Sequence, residues 1–211
     1  MEDYKTIKQA GSYQLTIKKS DFIGHVARAH TEEEAQDFIQ AIKKEHAKAT
    51  HNCAAYQIGD HNQVQRAFDD GEPQGTAGVP MLEVLKQENL KNIVVVVTRY
   101  FGGIKLGAGG LIRSYSQCTS ETIQTVGLVI RQVQQELALT IPYELTGPIE
   151  YWLQESPYEV LDTTYLENVT YDIGVPIKQL AAVKERLTNL TSGQGQITEK
   201  AQVYVDIPLK A

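Results

Sequence analysis

The stretch IVVVVTRYFGGIKLGAGGLIRSY, Ile93–Tyr115, determines how the first half of this chain must fold. Its first five residues, Ile93–Val97, are all apolar, which predicts a strand covered on both faces. Five glycines then lie between Gly102 and Gly110. After them Leu111, Tyr115, Cys118 and Thr122 recur at helical spacing. The sequence therefore predicts a central strand, a glycine-rich connection and a helix, after which TVGLVIRQ turns back as another strand.

The residues upstream supply further elements of the same domain. Tyr13–His30 is typical of two extended segments that turn near Lys19–Ser20, and TEEEAQDFIQAIKKE after it predicts a helix that begins at a capping box. Strands are predicted at Cys53–Gly59 and Asn62–Asp70, followed by a helix in MLEVLKQ. Together with the central strand, these elements indicate a first domain at residues 1–134.

A second domain is predicted at residues 135–211. Apolar residues alternate in ELALTI, in VTYDIGV and in QVYVDI, as they do in half-buried strands. Amphipathic helices are predicted in TGPIEYWLQES and PIKQLAAVKERLTNLT. The resulting order, β-α-β-β-α-β, is that of the split-βαβ, ferredoxin-like plan, so the whole chain belongs to the α+β class.

Charge is unevenly divided between these two domains. Residues 1–134 contain 15 Lys/Arg and 15 Asp/Glu, whereas residues 135–211 contain 5 and 11, which accounts for the net charge of −6. Within the first domain, Asn89–Ser120 carries Lys91, Arg99, Lys105 and Arg113 and no acid. This pattern predicts a local cationic zone, and the acidic total excludes a protein that binds polyanions through bulk positive charge.

Other features indicate the compartment. No apolar stretch approaches the roughly 18–20 residues that span a bilayer, and the polar start MEDYKTIKQAG is unlike a signal peptide. Cys53 and Cys118 form no metal-binding or redox pattern, and the histidines lack zinc-ligand spacing. We expect a cytoplasmic protein with reduced thiols, no membrane partner, no metal and no cofactor.

The glycine-rich connection has two interpretations. The first amides of the helix after it are unpaired donors, so Arg99 and Lys105 beside them could complete an anion site. The segment lacks the Lys-Ser/Thr of a P-loop at Ala108–Gly109, and Ile112 stands where a dinucleotide fingerprint needs glycine. The glycines could equally serve the geometry of a strand-to-helix corner. Tyr100 and Phe101 could stack on bases or belong to the core.

Two smaller clusters carry further candidates. Asp69, Asp70 and Glu72 could hold a metal together with phosphate, although acids in such a turn also favour the dipole of a following helix. His51 and Cys53 share one face of a strand, as a nucleophilic Cys-His pair requires. A buried strand cysteine is the commoner explanation.

Three segments, HNCAAYQIGD, RAFDDGEPQGTAGVPML and VVVVTRYFGGIKLGAGGLIRSYS, closely resemble the signature blocks of the Impact family. That family includes bacterial two-domain proteins and eukaryotic regulators of translation. The resemblance implies a first domain, an α/β sandwich, like the second domain of a small-subunit ribosomal protein. It implies a ferredoxin-like second domain resembling the late domains of elongation factor G. Both parent folds contact RNA or the ribosome.

The resemblance also marks a functional surface, with no catalytic residue assigned. Carried over onto this sequence, the motif positions are His51, Cys53, Tyr56, Asp69–Pro73, Gly75–Gly78, Arg99–Gly103, Lys105 and Gly107–Gly110.

The leading hypothesis is a non-enzymatic protein that associates with RNA or the ribosome and regulates translation. The candidates for contact with nucleic acid or another anion are Arg99, Tyr100, Phe101, Gly102, Gly103, Lys105, Gly107, Gly109, Gly110 and Arg113. One alternative is an enzyme or binding protein that acts on a phosphorylated small molecule through the glycine-rich loop and the acidic turn. In that case Asp69, Asp70 and Glu72 would coordinate a metal ion. Another is a protein–protein interaction module whose acidic second domain binds a basic partner.

Overall fold

A computed structural model describes residues 1–209 of the chain. The described residues contain ten β-strands and five α-helices, which confirms the α+β class. They divide into two compact units. The first unit is Tyr4–Ile130 with the described residues from Pro208 onward, and the second is Arg131–Ile207 with Met1–Asp3.

The first unit is built on an antiparallel sheet of five strands in the order β2-β3-β6-β4-β5. The strands are β2 (Gly11–Ile17), β3 (Ser20–Arg28), β4 (His51–Ile58), β5 (Val64–Phe68) and β6 (Ile93–Tyr100). The helices are α1 (Glu32–Glu45), α2 (Gly78–Gln87) and α3 (Ala108–Val126), and a short strand β1 (Tyr4–Ile7) precedes them all.

The central strand β6 is covered on both faces, as its unbroken apolar run predicts. Val94 and Val96 belong to a core cluster with Ile39 and Ile42 of α1. The intervening residues of β6 belong to a second cluster with residues of α2 and α3. Side chains along β6 therefore alternate between the face covered by α1 and the face covered by α2 and α3.

Local sequence signals explain two connections in this unit. Thr31 caps α1, since its Oγ1 accepts a hydrogen bond from the Glu34 amide at 3.1 Å. The Glu34 carboxylate reaches back to the His30 amide at 2.7 Å. Lys18 and Lys19 both have positive φ, 46° and 66°, and form the tight turn between β2 and β3. Two such residues give the backbone twist that a two-residue hairpin turn requires.

The second unit has the element order β-α-β-β-α-β that the sequence predicts. Its elements are β7 (Leu128–Ile141), α4 (Thr146–Glu155), β8 (Glu159–Tyr165), β9 (Val169–Pro176), α5 (Leu180–Leu190) and β10 (Gln196–Pro208). β9 pairs antiparallel with both β7 and β8, and β10 pairs with β7. Its core is formed by alternate residues of β7 and β9 packed against Ile149 and Leu153 of α4 and Val183 and Leu187 of α5.

One strand differs from the sequence expectation. The extended segments predicted on either side of residue 134 form the single 14-residue strand β7. No Gly, Pro, Asn or Asp lies between Leu128 and Ile141 to end the strand. The two units divide inside it, between Ile130 and Arg131.

Among residues 1–209, no helix is both long and apolar enough to cross a membrane.

Candidate functional site

The candidate site of the first unit forms where β4 begins and β6 ends. In the antiparallel register His51 lies opposite Arg99, and Cys53 lies opposite Val97. Directly opposed residues project to the same face, so all three polar side chains enter the layer covered by α2 and α3. The acidic turn after β5 supplies Glu72 to the same place. Residues far apart in sequence therefore meet in one buried cluster.

Glu72 and Arg99 form an ion pair inside this cluster. Arg99 Nη1 donates to Glu72 Oε1 at 2.7 Å, and both side chains are almost completely buried. Tyr115, from the inward stripe of α3, donates its hydroxyl to the same carboxylate oxygen at 2.8 Å. Burial, followed by the nearby Cys53 and Glu72, raises the pKa of Tyr115, so its phenol stays protonated and remains a donor. The pair thus ties the turn, β6 and α3 together.

The surroundings of Arg99 differ from those of an exposed phosphate-binding residue. Arg99 is 5% exposed. Its guanidinium lies 5.4 Å from the ring centre of Phe22 and 5.5 Å from that of Phe101. Stacking of this kind suits the planar guanidinium, and the pairing with Glu72 neutralises its charge. Phosphate contact by Arg99 remains a prediction from sequence, and it would require the buried guanidinium to become accessible.

The other two acids of the turn organise the backbone. Asp69 accepts hydrogen bonds from the amides of Gly75, Ala77 and Gly78 at 2.8, 3.1 and 2.9 Å. A carboxylate at this position satisfies donors at the start of α2 and favours the dipole of that helix. These contacts match the second interpretation of the acidic turn, in which its acids stabilise the turn and the start of the following helix.

Asp70 lies at the other side of the turn. Its carboxylate accepts hydrogen bonds from Lys43 Nζ at 2.6 Å and from the Asn52 amide at 2.7 Å. Burial by itself would raise the pKa of Asp70, but these two hydrogen bonds, together with the charges of Lys43 and His51, outweigh it and lower the pKa. Within residues 1–209, no group of three or more His, Cys, Asp or Glu side chains is arranged to hold a metal ion.

His51 and Cys53 do share a face, but each has other partners. His51 Nδ1 lies 2.8 Å from the Asp70 carbonyl oxygen, and Nε2 lies 3.7 Å from Glu72 Oε2. Cys53 Sγ lies 3.0 Å from the Asp69 carbonyl oxygen and 3.3 Å from the Tyr115 hydroxyl. Burial raises the pKa of the Cys53 thiol to about 12. A thiol with that pKa is protonated at neutral pH and is a poor nucleophile.

We therefore expect both cysteines to resist labelling in the native protein. Burial also raises the pKa of Cys118 to about 12. A raised pKa lowers the thiolate fraction, so a disulfide reagent such as Ellman's reagent should react at neutral pH only as fast as the chain opens. The same reagent should titrate both thiols in guanidinium chloride. Rapid modification of Cys53 in the native Cys118→Ser variant would contradict this description.

The glycine-rich segment Phe101–Gly110 leaves the end of β6 and starts α3. A Cβ atom on Gly102 would lie 1.8 Å from the Lys19 carbonyl oxygen, so only glycine fits against the β2–β3 turn. Gly107 precedes α3 with a φ of 70° and has no side chain to cap the helix. Geometry also favours glycine at Gly103, which has positive φ. Gly110 is tight against Leu106, whereas a Cβ on Gly109 would meet only Arg113 Nη1 at 3.7 Å.

The other positions predicted for this surface are distributed between the two faces of the sheet. Phe101 is 47% exposed, and Lys105 and Arg113 are exposed. Tyr100 instead lies on the α1 face, where its hydroxyl is 3.0 Å from His46 Nδ1. Tyr56 is buried on that face and donates to Glu32 at 2.8 Å. Tyr56 and Tyr100 are therefore separated from the buried cluster by the sheet.

Sequence reasoning missed two cations of this region. Lys18 and Lys19 are exposed at the β2–β3 turn, and the Lys19 backbone lies directly against Gly102. Gly102 also donates its amide to Ser20 Oγ at 3.2 Å. Two adjacent lysines at a predicted break between strands indicate an exposed, positively charged turn. Sequence spacing could not show that this turn contacts a segment about eighty residues later, because that contact depends on strand pairing.

Comparisons with known proteins agree with this architecture. Residues 18–123 match the family model of the Impact N-terminal domain. "IMPACT family member YvyE" from Bacillus subtilis is 48% identical over 206 residues, which cover 98% of this chain and 95% of that protein. The chain belongs to the IMPACT family. Residues 139–194 of this IMPACT family member match a second model, a domain of unknown function, DUF1949.

Further relatives of this family member are a solved structure and a eukaryotic protein. A solved structure described as "Crystal structure of an hypothetical protein" is 30% identical in sequence and superposes with a TM-score of 0.60. The match covers 95% of this chain and 98% of the chain in that structure. "Protein IMPACT" from Mus musculus is 37% identical over 98 residues, which cover 44% of this chain and 30% of that protein. The similarity to the mouse protein thus concerns less than half of this chain.

Proposed function

We propose that this IMPACT family member is a non-enzymatic, cytoplasmic protein that associates with RNA or the ribosome and modulates translation. The observation that carries the proposal is a set of four cations, Lys18, Lys19, Lys105 and Arg113, which we call the cationic surface. Lys105 and Arg113 lie in and just after the glycine-rich segment, and the Lys19 backbone lies against Gly102 of that segment. All four side chains are exposed. The family resemblance supports the same role, because the Impact signature blocks include this segment.

The cationic surface has the chemistry to bind phosphate. The first amides of α3 have no partners within the helix, and the positive end of the helix dipole lies there. No acid occurs in the first turn of α3. Sterics do not demand glycine at Gly109, where an added Cβ would meet only Arg113 Nη1, at 3.7 Å. Exposed Phe101 adds a ring on which a base could stack.

The contacts of the buried cluster favour a structural role over a catalytic one. The Asp69 and Asp70 carboxylates accept hydrogen bonds from backbone amides, and Glu72 is neutralised by Arg99. A metal-assisted reaction on a phosphorylated small molecule would require these carboxylates to leave their partners. We propose that Arg99 positions the end of β6, and that the exposed cations make the phosphate contacts.

The finer fold assignments belong to the same proposal. β9 and β10 both pair with β7, and β8 pairs with β9, which supports a ferredoxin-like domain of the kind found late in elongation factor G. For the first unit we propose the ribosomal-protein-like sandwich that the family resemblance implies. We also propose that the chain divides near residues 130–134 into two functional domains.

The test is binding to purified ribosomes and to total RNA across a salt series. Wild type should bind, with an affinity that falls steeply as salt rises, since each neutralised phosphate releases counterions. The Lys105→Ala/Arg113→Ala variant should bind more weakly. Its plot of log affinity against log salt should be shallower by about 0.7 for each lost contact to a single strand.

Lys44→Ala/Lys48→Ala is the matched control. It removes the same charge from exposed positions at the end of α1 and just after it, and α1 packs on the opposite face of the sheet from α3. It should retain the wild-type slope. Equal losses in both variants would indicate dependence on net charge alone. Absence of binding at low salt would reject the proposal.

A further inference from the structure

The outer edge of β8 in the second unit is open. β8 pairs with β9 on one side, and no strand within residues 1–209 pairs with its other side. An unpaired edge presents a row of backbone donors and acceptors that another extended segment can use. Proteins usually protect such an edge with lysine, proline or a covering loop. β8, with the sequence EVLDTTY, contains neither lysine nor proline.

β8 also exposes apolar side chains. Val160, Leu161 and Tyr165 on the strand are exposed, and Leu166, directly after it, is 75% exposed. The register places Val160 opposite Ile173 and Tyr165 opposite Val169, so both lie on the face that carries the helices. A single shift in register at Leu161 is the one irregularity of the pairing between β8 and β9. The edge therefore combines free backbone groups with uncovered apolar area.

Acidic residues predominate along the chain around this edge. From Gln132 to Ile177 the chain has eight Asp or Glu and no Lys, Arg or His. Two of these acids, Glu159 and Asp162, lie on β8 itself, and their register partners Gly174 and Asp172 place them on the face away from the helices. Glu167 follows in the connection to β9. Glu136 and Asp172 of this span form ion pairs with Lys200, at 3.2 and 2.7 Å, whereas Glu159 and Asp162 are exposed.

We propose that the β8 edge binds an extended, basic segment of a partner protein by strand addition. Main-chain hydrogen bonds to β8 would supply affinity, and alternate side chains would supply specificity. Lysine or arginine on one face of the bound segment would lie beside Glu159 and Asp162, and apolar residues on its other face would contact Val160 and Tyr165. This binding function is separate from the phosphate contacts proposed for the first unit.

Charge distinguishes this occupant from two others. Pairing of two β8 strands from two copies of the chain would bring the acids of one copy close to those of the other, with no basic residue on either strand to offset them, and like charges in such proximity are destabilising. Nucleic acid would be repelled by the same side chains. A basic segment is the occupant that Glu159 and Asp162 would attract.

The experiment measures binding of a fluorescent peptide that alternates lysine and valine and has the length of β8, seven residues, to the full-length protein. Fluorescence anisotropy at low salt should show saturable binding, and amide hydrogen exchange should slow along β8. A peptide of the same length that alternates glutamate and valine should not bind. The lysine peptide with alternate amides N-methylated should bind at least about tenfold more weakly, because strand pairing needs those groups.

Glu159→Lys/Asp162→Lys should also weaken binding of the lysine peptide at least about tenfold. The matched control is Glu155→Lys/Glu185→Lys, which makes the same change in charge at exposed positions on α4 and α5 and should bind like wild type. Equal binding of the N-methylated peptide would overturn strand addition. Equal loss in both charge variants would overturn the assignment to β8, and a concentration-dependent dimer that protects β8 would assign the edge to a second copy.

Discussion

Replacing Glu72 with alanine is expected to lower the free energy of unfolding of the first unit by about 3–5 kcal/mol, the usual loss when one partner of a buried ion pair is removed. Arg99 would keep its charge between the Phe22 and Phe101 rings without the carboxylate that neutralises it. Tyr115 would lose the acceptor of its hydroxyl hydrogen bond. Urea denaturation, followed by circular dichroism, measures the change.

Two further variants make this result specific. Glu72→Leu/Arg99→Met removes both charges, so it should recover most of the stability lost by the single variant. Glu83→Ala removes a carboxylate from an exposed pair with Lys86 and should cost less than about 0.5 kcal/mol. A single Glu72→Ala variant as stable as Glu83→Ala would show that the buried pair does not hold the turn, β6 and α3 together.

Gly102→Ala is the second substitution with a large expected effect. The added methyl group would lie 1.8 Å from the carbonyl oxygen of Lys19 and 2.0 Å from its carbonyl carbon. These are backbone atoms of a two-residue turn, and the turn is set by the pairing of Ile17 with Ser20. It cannot yield as a flexible side chain would. We expect a loss of about 1–3 kcal/mol in the free energy of unfolding, as for other overpacked sites.

Gly109→Ala is the control for this prediction. Its methyl group would make one ordinary contact with Arg113, and alanine is favoured over glycine in a helix by about 0.5–1 kcal/mol. We expect its thermal unfolding temperature to equal or exceed that of wild type, while that of Gly102→Ala falls. If both variants have the wild-type value, the close approach between Lys19 and Gly102 is not present in solution.

The Gly102→Ala variant also connects stability with the proposed function. Movement of the β2–β3 turn away from Gly102 would separate Lys18 and Lys19 from Lys105 and Arg113. Ribosome or RNA binding by Gly102→Ala should therefore fall even at temperatures where the variant is fully folded.

The sequence by itself determined most of the secondary structure of this protein and its order, although the short strand β1 was not predicted. The unbroken apolar run Ile93–Val97 required cover on both faces, and Thr31 with Glu34 marked the start of α1, because both signals depend on residues within a few positions of one another. The alternation in the second half likewise predicted its β-α-β-β-α-β order. β7 was predicted as two segments, because the lack of a terminating residue is a weaker signal than the presence of one.

Only the tertiary structure decided which charges are available to a ligand. Arg99, Lys105 and Arg113 look alike in the sequence, yet Arg99 is neutralised by Glu72, 27 residues away, and the other two are exposed. The contact between the β2–β3 turn and Gly102 brings the exposed Lys18 and Lys19 beside the glycine-rich segment. The physical reason is that the charge of a side chain is a local property, whereas its burial and its partner depend on strand register and helix packing, which bring together residues from distant parts of the chain.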